Sequence, residues 1–141
     1  MGTRFYRYML KHVIPYIRFT TYYTTLRGVK YHKLYEQLQP GDTILTIDKK
    51  KLTTMLIPGE FTHAAMCVSL DGKWEVSEMT HSDYTKSCFF DICKESDRVV
   101  MMRPRWYESS DIENAIEKCK SFDGAKYDVE FELGIHALYC S

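Results

Sequence analysis

At 141 residues with zero formal net charge, the chain fits one domain, and a domain of this size buries roughly 68–70% of its unfolded surface without help from disulfides or metal. Hydrophobic residues at 45% and aromatics at 14% exclude a disordered chain. The charge is unevenly placed: residues 1–35 hold Arg4, Arg7, Lys11, Arg18, Arg27, Lys30 and Lys33, no acid precedes Glu36, and all 19 acids fall after that arm.

The first element expected is a basic, aromatic-rich helix or pair of helices over residues 1–36. Phe5–Tyr23 also carries Met9, Val13, Ile14 and Ile17, but Lys11, His12, Pro15 and Arg18 interrupt it, so it is too short and polar for a membrane span or a signal-peptide core. Two roles suit it: docking on its own acidic domain, or lying on an anionic membrane surface. Tyr6 stands where a myristoylation signal wants Ser or Thr. No recognition motif accompanies the charge, so no nucleic-acid partner is expected.

Pro40-Gly41-Asp42 reads as a turn launching a strand from Thr43 to Ile47. Leu52–Leu56 is ambiguous, with a short helix as one reading, and Pro58-Gly59 closes it. Phe61–Leu70 reads as a strand, Asp71-Gly72 as a hairpin turn, and Trp74–Met79 as the returning partner. Arg98–Arg103 is a further strand. A helix follows, with Ser110 and Glu113 at capping-box spacing, an apolar face of Ile112, Ala115, Ile116 and Cys119, and Gly124 near its end. Strands bracketed by helices give an α+β class with a small antiparallel sheet. No repeat, low-complexity tract or linker splits the chain.

The five cysteines, Cys67, Cys88, Cys93, Cys119 and Cys140, include no C-x-x-C pair. Neither a zinc site nor a thioredoxin motif is indicated, and neither metal nor cofactor is expected. Free thiols point to the cytoplasm, with peripheral membrane contact if the basic arm binds lipid. Cys88 and Cys93 flank Phe89-Phe90-Asp91-Ile92 and are expected to be buried small hydrophobes.

The hairpin permits a geometric inference. A two-residue turn at Asp71-Gly72 sets Leu70 opposite Lys73, Ala65 opposite Glu78 and His63 opposite Thr80. His63, Ala65, Glu78 and Thr80 then share one face, and Glu78 is the diagonal neighbour of His63, within reach of long side chains. A carboxylate there would fix the imidazole tautomer and stabilise its cation. A three-residue turn would undo this register, leaving a partly buried strand histidine and a surface acid.

The chain closes on Gly124…Tyr127-Asp128 and Tyr139-Cys140-Ser141. With Pro40-Gly41-Asp42, Phe61-Thr62-His63-Ala64-Ala65, Val76-Ser77-Glu78 and Val100-Met101-Met102-Arg103-Pro104, these motifs resemble, in order, the permuted papain-like amidases of the YiiX-like group. That group is related to NlpC-type peptidases and lecithin:retinol acyltransferase-like proteins. The resemblance implies a circularly permuted papain-like domain over 37–141, following the basic helical segment 1–36. It implies Cys140 as nucleophile, His63 as base, Glu78 as the third polar residue and Tyr127 as a residue lining the oxyanion or substrate site. The activity implied is a cysteine hydrolase, amidase- or peptidase-like, or a thiol acyltransferase, acting on amide or ester bonds of a peptide, acylated protein or lipid. In that family the cysteine opens a helix and the chain continues. Here the sequence ends one residue later, so the C-terminal part of the fold is expected to be lacking, as in a truncated product or a domain completed by another chain. The rival reading is an inactive papain-like binding module or fragment.

Overall fold

The computed structural model describes residues 2–19, 28–56, 59–70, 75–80, 82–105 and 108–127. Helix α1 (Gly2–His12) leads into a 3₁₀ turn, Ile14–Tyr16, and helix α2 spans Gly28–Gln37. Strand β1 (Thr43–Ile47), short helix α3 (Leu52–Leu56), strands β2 (His63–Cys67), β3 (Glu75–Met79) and β4 (Tyr84–Cys88), helix α4 (Phe89–Lys94), strand β5 (Arg98–Met102) and helix α5 (Ser109–Lys120) follow.

The five strands form one antiparallel sheet in the order β4-β3-β2-β1-β5. Between β2 and β3 the pairs are Ala65↔Glu78, Met66↔Ser77 and Cys67↔Val76, the register expected from the sequence. The turn itself, Asp71-Gly72, and Trp74 lie outside the described residues. The strand expected over Phe61–Leu70 is shorter, although pairing continues past both ends: Thr62 N–H donates to Thr46 O at 3.1 Å and Val68 N–H to Glu75 O at 3.0 Å.

Alternation gives the sheet two faces. One carries Ile44, Ala65, Cys67, Val76 and Val99, which join Leu38 and, from α4, Phe89, Ile92 and Cys93 in a single buried cluster. Tyr31, Leu34 and Tyr35 of α2 pack against it, with the Tyr35 and Phe90 rings 4.8 Å apart. Each fully buried aliphatic or Phe side chain here stabilises the fold by about 1.5–3 kcal/mol. The other face receives α5, through fully buried Ile116, Cys119 Sγ 3.9 Å from Met66 Sδ, and Ile112 against Gly41. Gly41 has φ +86°, and a Cβ there would sit 3.0 Å from Ile112 Cγ2, so this turn requires glycine.

Three local expectations are corrected. The capping box of α5 is Glu108 and Asp111, not Ser110 and Glu113: Glu108 N–H donates to Asp111 Oδ2 at 2.9 Å, and the helix starts correspondingly earlier. Ala115 is exposed, because only Ile112, Ile116 and Cys119 of the expected stripe turn toward the sheet. Cys88 is exposed while Cys93 is buried. Cys88 pairs with exposed Glu75 on the outer strand of the sheet, whereas Cys93 points from α4 into the core.

The end of the sheet carrying Asp42 is fastened by Arg103. Its Nε donates to Asp42 Oδ1 and its Nη2 to Asp42 Oδ2, both at 2.7 Å, and Nη2 also caps α2 through Gln37 O at 2.6 Å. Asp42, 1% exposed, further accepts Gln39 N–H at 2.7 Å. The turn, the last turn of α2 and the exit of β5 are thereby joined.

Candidate active site

At the opposite end of the sheet stand His63, first residue of β2, and Glu78 of β3. His63 Nε2 lies 2.7 Å from Glu78 Oε2, on the same face as the hydrophobic cluster. Both side chains are largely shielded from solvent. The other carboxylate oxygen, Oε1, accepts the hydroxyl of Ser87 from β4. Three adjacent strands thus each contribute one residue, a diagonal arrangement set by the register Ala65↔Glu78 and Val76↔Ser87.

Burial is the largest single influence on the Glu78 carboxyl and pushes its pKa up. Hydrogen bonds from His63 and Ser87, with the positive charges of His63 and Lys51, outweigh it, so the group ionises below its ordinary 4.5. A carboxyl with a depressed folded pKa contributes stability that is complete above the unfolded value and is lost as pH falls through the folded one. Wild type is therefore expected to lose stability relative to Glu78→Gln once pH drops below 4.5. Thermal melts of both proteins across that range check this, and a constant difference between them would refute it.

With an ionised carboxylate facing Nε2, a neutral imidazole keeps its proton on Nε2 and presents its lone pair at Nδ1. Nδ1 is then the ring nitrogen able to accept a proton, and a neighbouring carboxylate stabilises the imidazolium that results.

The surroundings of this end come from three places. The loop after β1 carries Lys51, and Thr54 Oγ1 donates to Asp48 O at 2.7 Å. The N-terminal arm docks beside that loop: Leu52 N–H donates to Ile17 O at 3.1 Å, Phe19 N–H to Lys50 O at 2.7 Å, and Arg18 Nη2 meets Glu95 Oε2 at 2.5 Å. After α5 the chain returns along the outer edge of β4. Tyr84 N–H donates to Ala125 O at 2.7 Å, and Tyr127 N–H to Ser82 O at 3.2 Å.

Of the four residues singled out from the sequence, the fold brings His63 and Glu78 into direct contact and carries half-buried Tyr127 to the same end of the sheet, beyond β4. Cys140 lies outside the described residues. Cys67 shares the His63 face but is fully buried; burial, with the Asp42 charge adding, raises its thiol pKa against a backbone hydrogen bond at Ser69, which marks it as inert. Burial likewise pushes Cys93 up to about 12. Among the described residues, no group of three or more His, Cys, Asp or Glu side chains is placed to hold a metal ion.

Ser87 and strand β4 were not read from the sequence. Tyr84-Thr-Lys-Ser-Cys88 has no apolar alternation to announce a strand, and its one signal is the hydroxyl and β-branched content of Thr85 and Ser87.

Residues 37–141 match the family model of the permuted papain-like amidase enzymes, YaeF/YiiX. Searches of curated proteins and of solved structures each returned no match. The match takes in the antiparallel sheet, the His63–Glu78 pair and the segment carrying Cys140, and the chain belongs to the YaeF/YiiX family of permuted papain-like amidases.

Proposed function

We propose that the chain is a cysteine hydrolase in which Cys140 is the nucleophile, His63 the general base and Glu78 the residue that orients and charges the imidazole. The observation carrying this reading is the 2.7 Å contact of His63 Nε2 with the Glu78 carboxylate, buttressed by Ser87. The course of the chain leaves Cys140 within reach of His63. Tyr127 already stands at the His63 end, roughly three strand spacings or ~14 Å from β2, and the roughly 13 residues from there to Cys140 reach up to about 40 Å.

His63 Nδ1 takes the thiol proton, which an isolated cysteine with a pKa of about 8.5 would largely keep at neutral pH. The thiolate attacks the carbonyl carbon of an amide or ester, and the imidazolium returns the proton to the departing amine or alcohol. Water, deprotonated by His63, then cleaves the thioester and regenerates the enzyme. An alcohol or amine acceptor in place of water makes the same site an acyltransferase. Backbone N–H groups that meet the oxyanion supply on the order of 2.7–4 kcal/mol each, and the family resemblance alone assigns Tyr127 to the wall of that pocket. The substrate class is an amide or ester of a peptide, acylated protein or lipid.

Thiol alkylation tests the assignment. Peptide mapping after iodoacetamide treatment is expected to show Cys140 reacting well below pH ~8.5 in wild type and only near that pH in His63→Ala. Mapping matters because Cys88 is exposed and offers a second site, while Cys67 and Cys93 are buried. A Cys140 profile that is identical in the two proteins would overturn the pairing.

A further inference from the structure

The N-terminal arm carries a surface that the catalytic reading does not use. At 100° per residue, α1 places Arg4, Arg7 and Lys11 within about 60° of one another, and Phe5, Tyr6, Met9 and Leu10 across about 140° on the other side, with Tyr8 near the bases. The apolar side is only partly covered. Met9, Leu10 and Val13 are half-buried where the chain turns into Ile14–Tyr16, but Phe5 is 68% and Tyr6 62% exposed. Tyr16 of the 3₁₀ turn and Met55 of neighbouring α3 are exposed as well. The arm is held to the domain farther along, through Ile17–Phe19 and the Arg18–Glu95 pair, so α1 itself stands against solvent.

We propose that α1 seats the protein on an anionic lipid surface. The charge pattern selects this occupant: seven bases and no acid precede Glu36, so nothing in the arm repels a negatively charged headgroup layer. The helix is 11 residues long, about 16 Å, so it cannot cross a bilayer core of ~30 Å. None of the helices among the described residues is long and apolar enough to do so. Lying in the interface, it buries Phe5 and the Tyr6 ring at the headgroup–acyl boundary, where a tyrosine keeps its hydroxyl wet. Arg4, Arg7 and Lys11 meet the phosphates. Because the arm docks beside Lys51, whose charge acts on Glu78, lipid attachment through α1 and the His63–Glu78 pair share one end of the domain.

Co-sedimentation of the 141-residue chain with phosphatidylcholine vesicles, with and without phosphatidylglycerol, tests this independently of catalysis. Binding is expected only with phosphatidylglycerol and is expected to fall with added salt. Neutralising Arg4, Arg7 and Lys11 together to Gln is expected to weaken it on the order of a hundredfold, about fivefold for each base. Phe5→Ser with Tyr6→Ser, charges intact, is expected to weaken it about tenfold or more. A Tyr6→Trp reporter, conservative at an exposed site and read as the difference spectrum from wild type with its own two tryptophans, is expected to shift its emission to the blue on the same vesicles. Equal binding to phosphatidylcholine alone, an unaffected charge variant, or an unmoved reporter emission would each overturn the proposal. Retention by single-stranded RNA or self-association, in place of vesicle binding, would do the same.

Discussion

Cys140→Ala is expected to abolish turnover of any amide or ester substrate, with kcat falling on the order of 10⁶-fold, the scale seen when a triad nucleophile is removed. His63→Ala is expected to cost about 10²–10⁴-fold at neutral pH and to recover partly on the alkaline side, where the thiol ionises unaided. The double variant should be scarcely worse than Cys140→Ala alone, because residues that act as one unit are not additive. Glu78→Gln behaves differently from both. Its amide can turn its carbonyl toward His63 Nε2 while Ser87 takes the other end, so orientation survives and the charge that stabilises the imidazolium does not. Turnover measured across pH in these four proteins checks the assignment. Full activity in Cys140→Ala, or a His63→Ala profile parallel to wild type, would remove the cysteine mechanism.

The largest stability loss is expected from Arg103→Met. It keeps much of the stem and strips the guanidinium from Asp42, leaving a carboxylate that is 1% exposed and still holds Gln39 N–H. Removing one partner of such a pair costs about 3–5 kcal/mol; since Arg103 is itself 38% exposed, the lower figure applies. A loss of about 3 kcal/mol lowers the melting midpoint of a domain this size by roughly 10 °C. Arg103→Lys keeps the charge but cannot reproduce the two-pronged contact and should fall between. Differential scanning calorimetry reads both, and a midpoint within about 2 °C of wild type for Arg103→Met would show that the pair contributes little.

The hairpin was legible because Asp71-Gly72 admits a short turn, and a short turn fixes every pair behind it. That step alone put His63 and Glu78 on one face, and the fold sets them 2.7 Å apart. The Asp42–Arg103 pair was not legible. Both residues stood in recognised motifs, but partners 61 positions apart have no shared local pattern. Strand β4 was missed for a related reason. Hydrophobic alternation marks a strand only where one face is apolar, and β4 turns Thr85 and Ser87 toward Glu78 instead. The α5 cap was displaced because Glu and Asp, like Ser, can accept the first free N–H groups of a helix.

The placement of the Arg103 clamp has a consequence for how such a domain diverges. It closes the end of the sheet remote from the histidine, while the hydrophobic cluster joins the strands to α2 and α4. Substitutions around the His63 mouth can accumulate without loosening the fastening that holds the scaffold shut, and the effects of well-separated changes add rather than compound. Changes can be tried on one rim while the other carries the tolerance that keeps the trials folded.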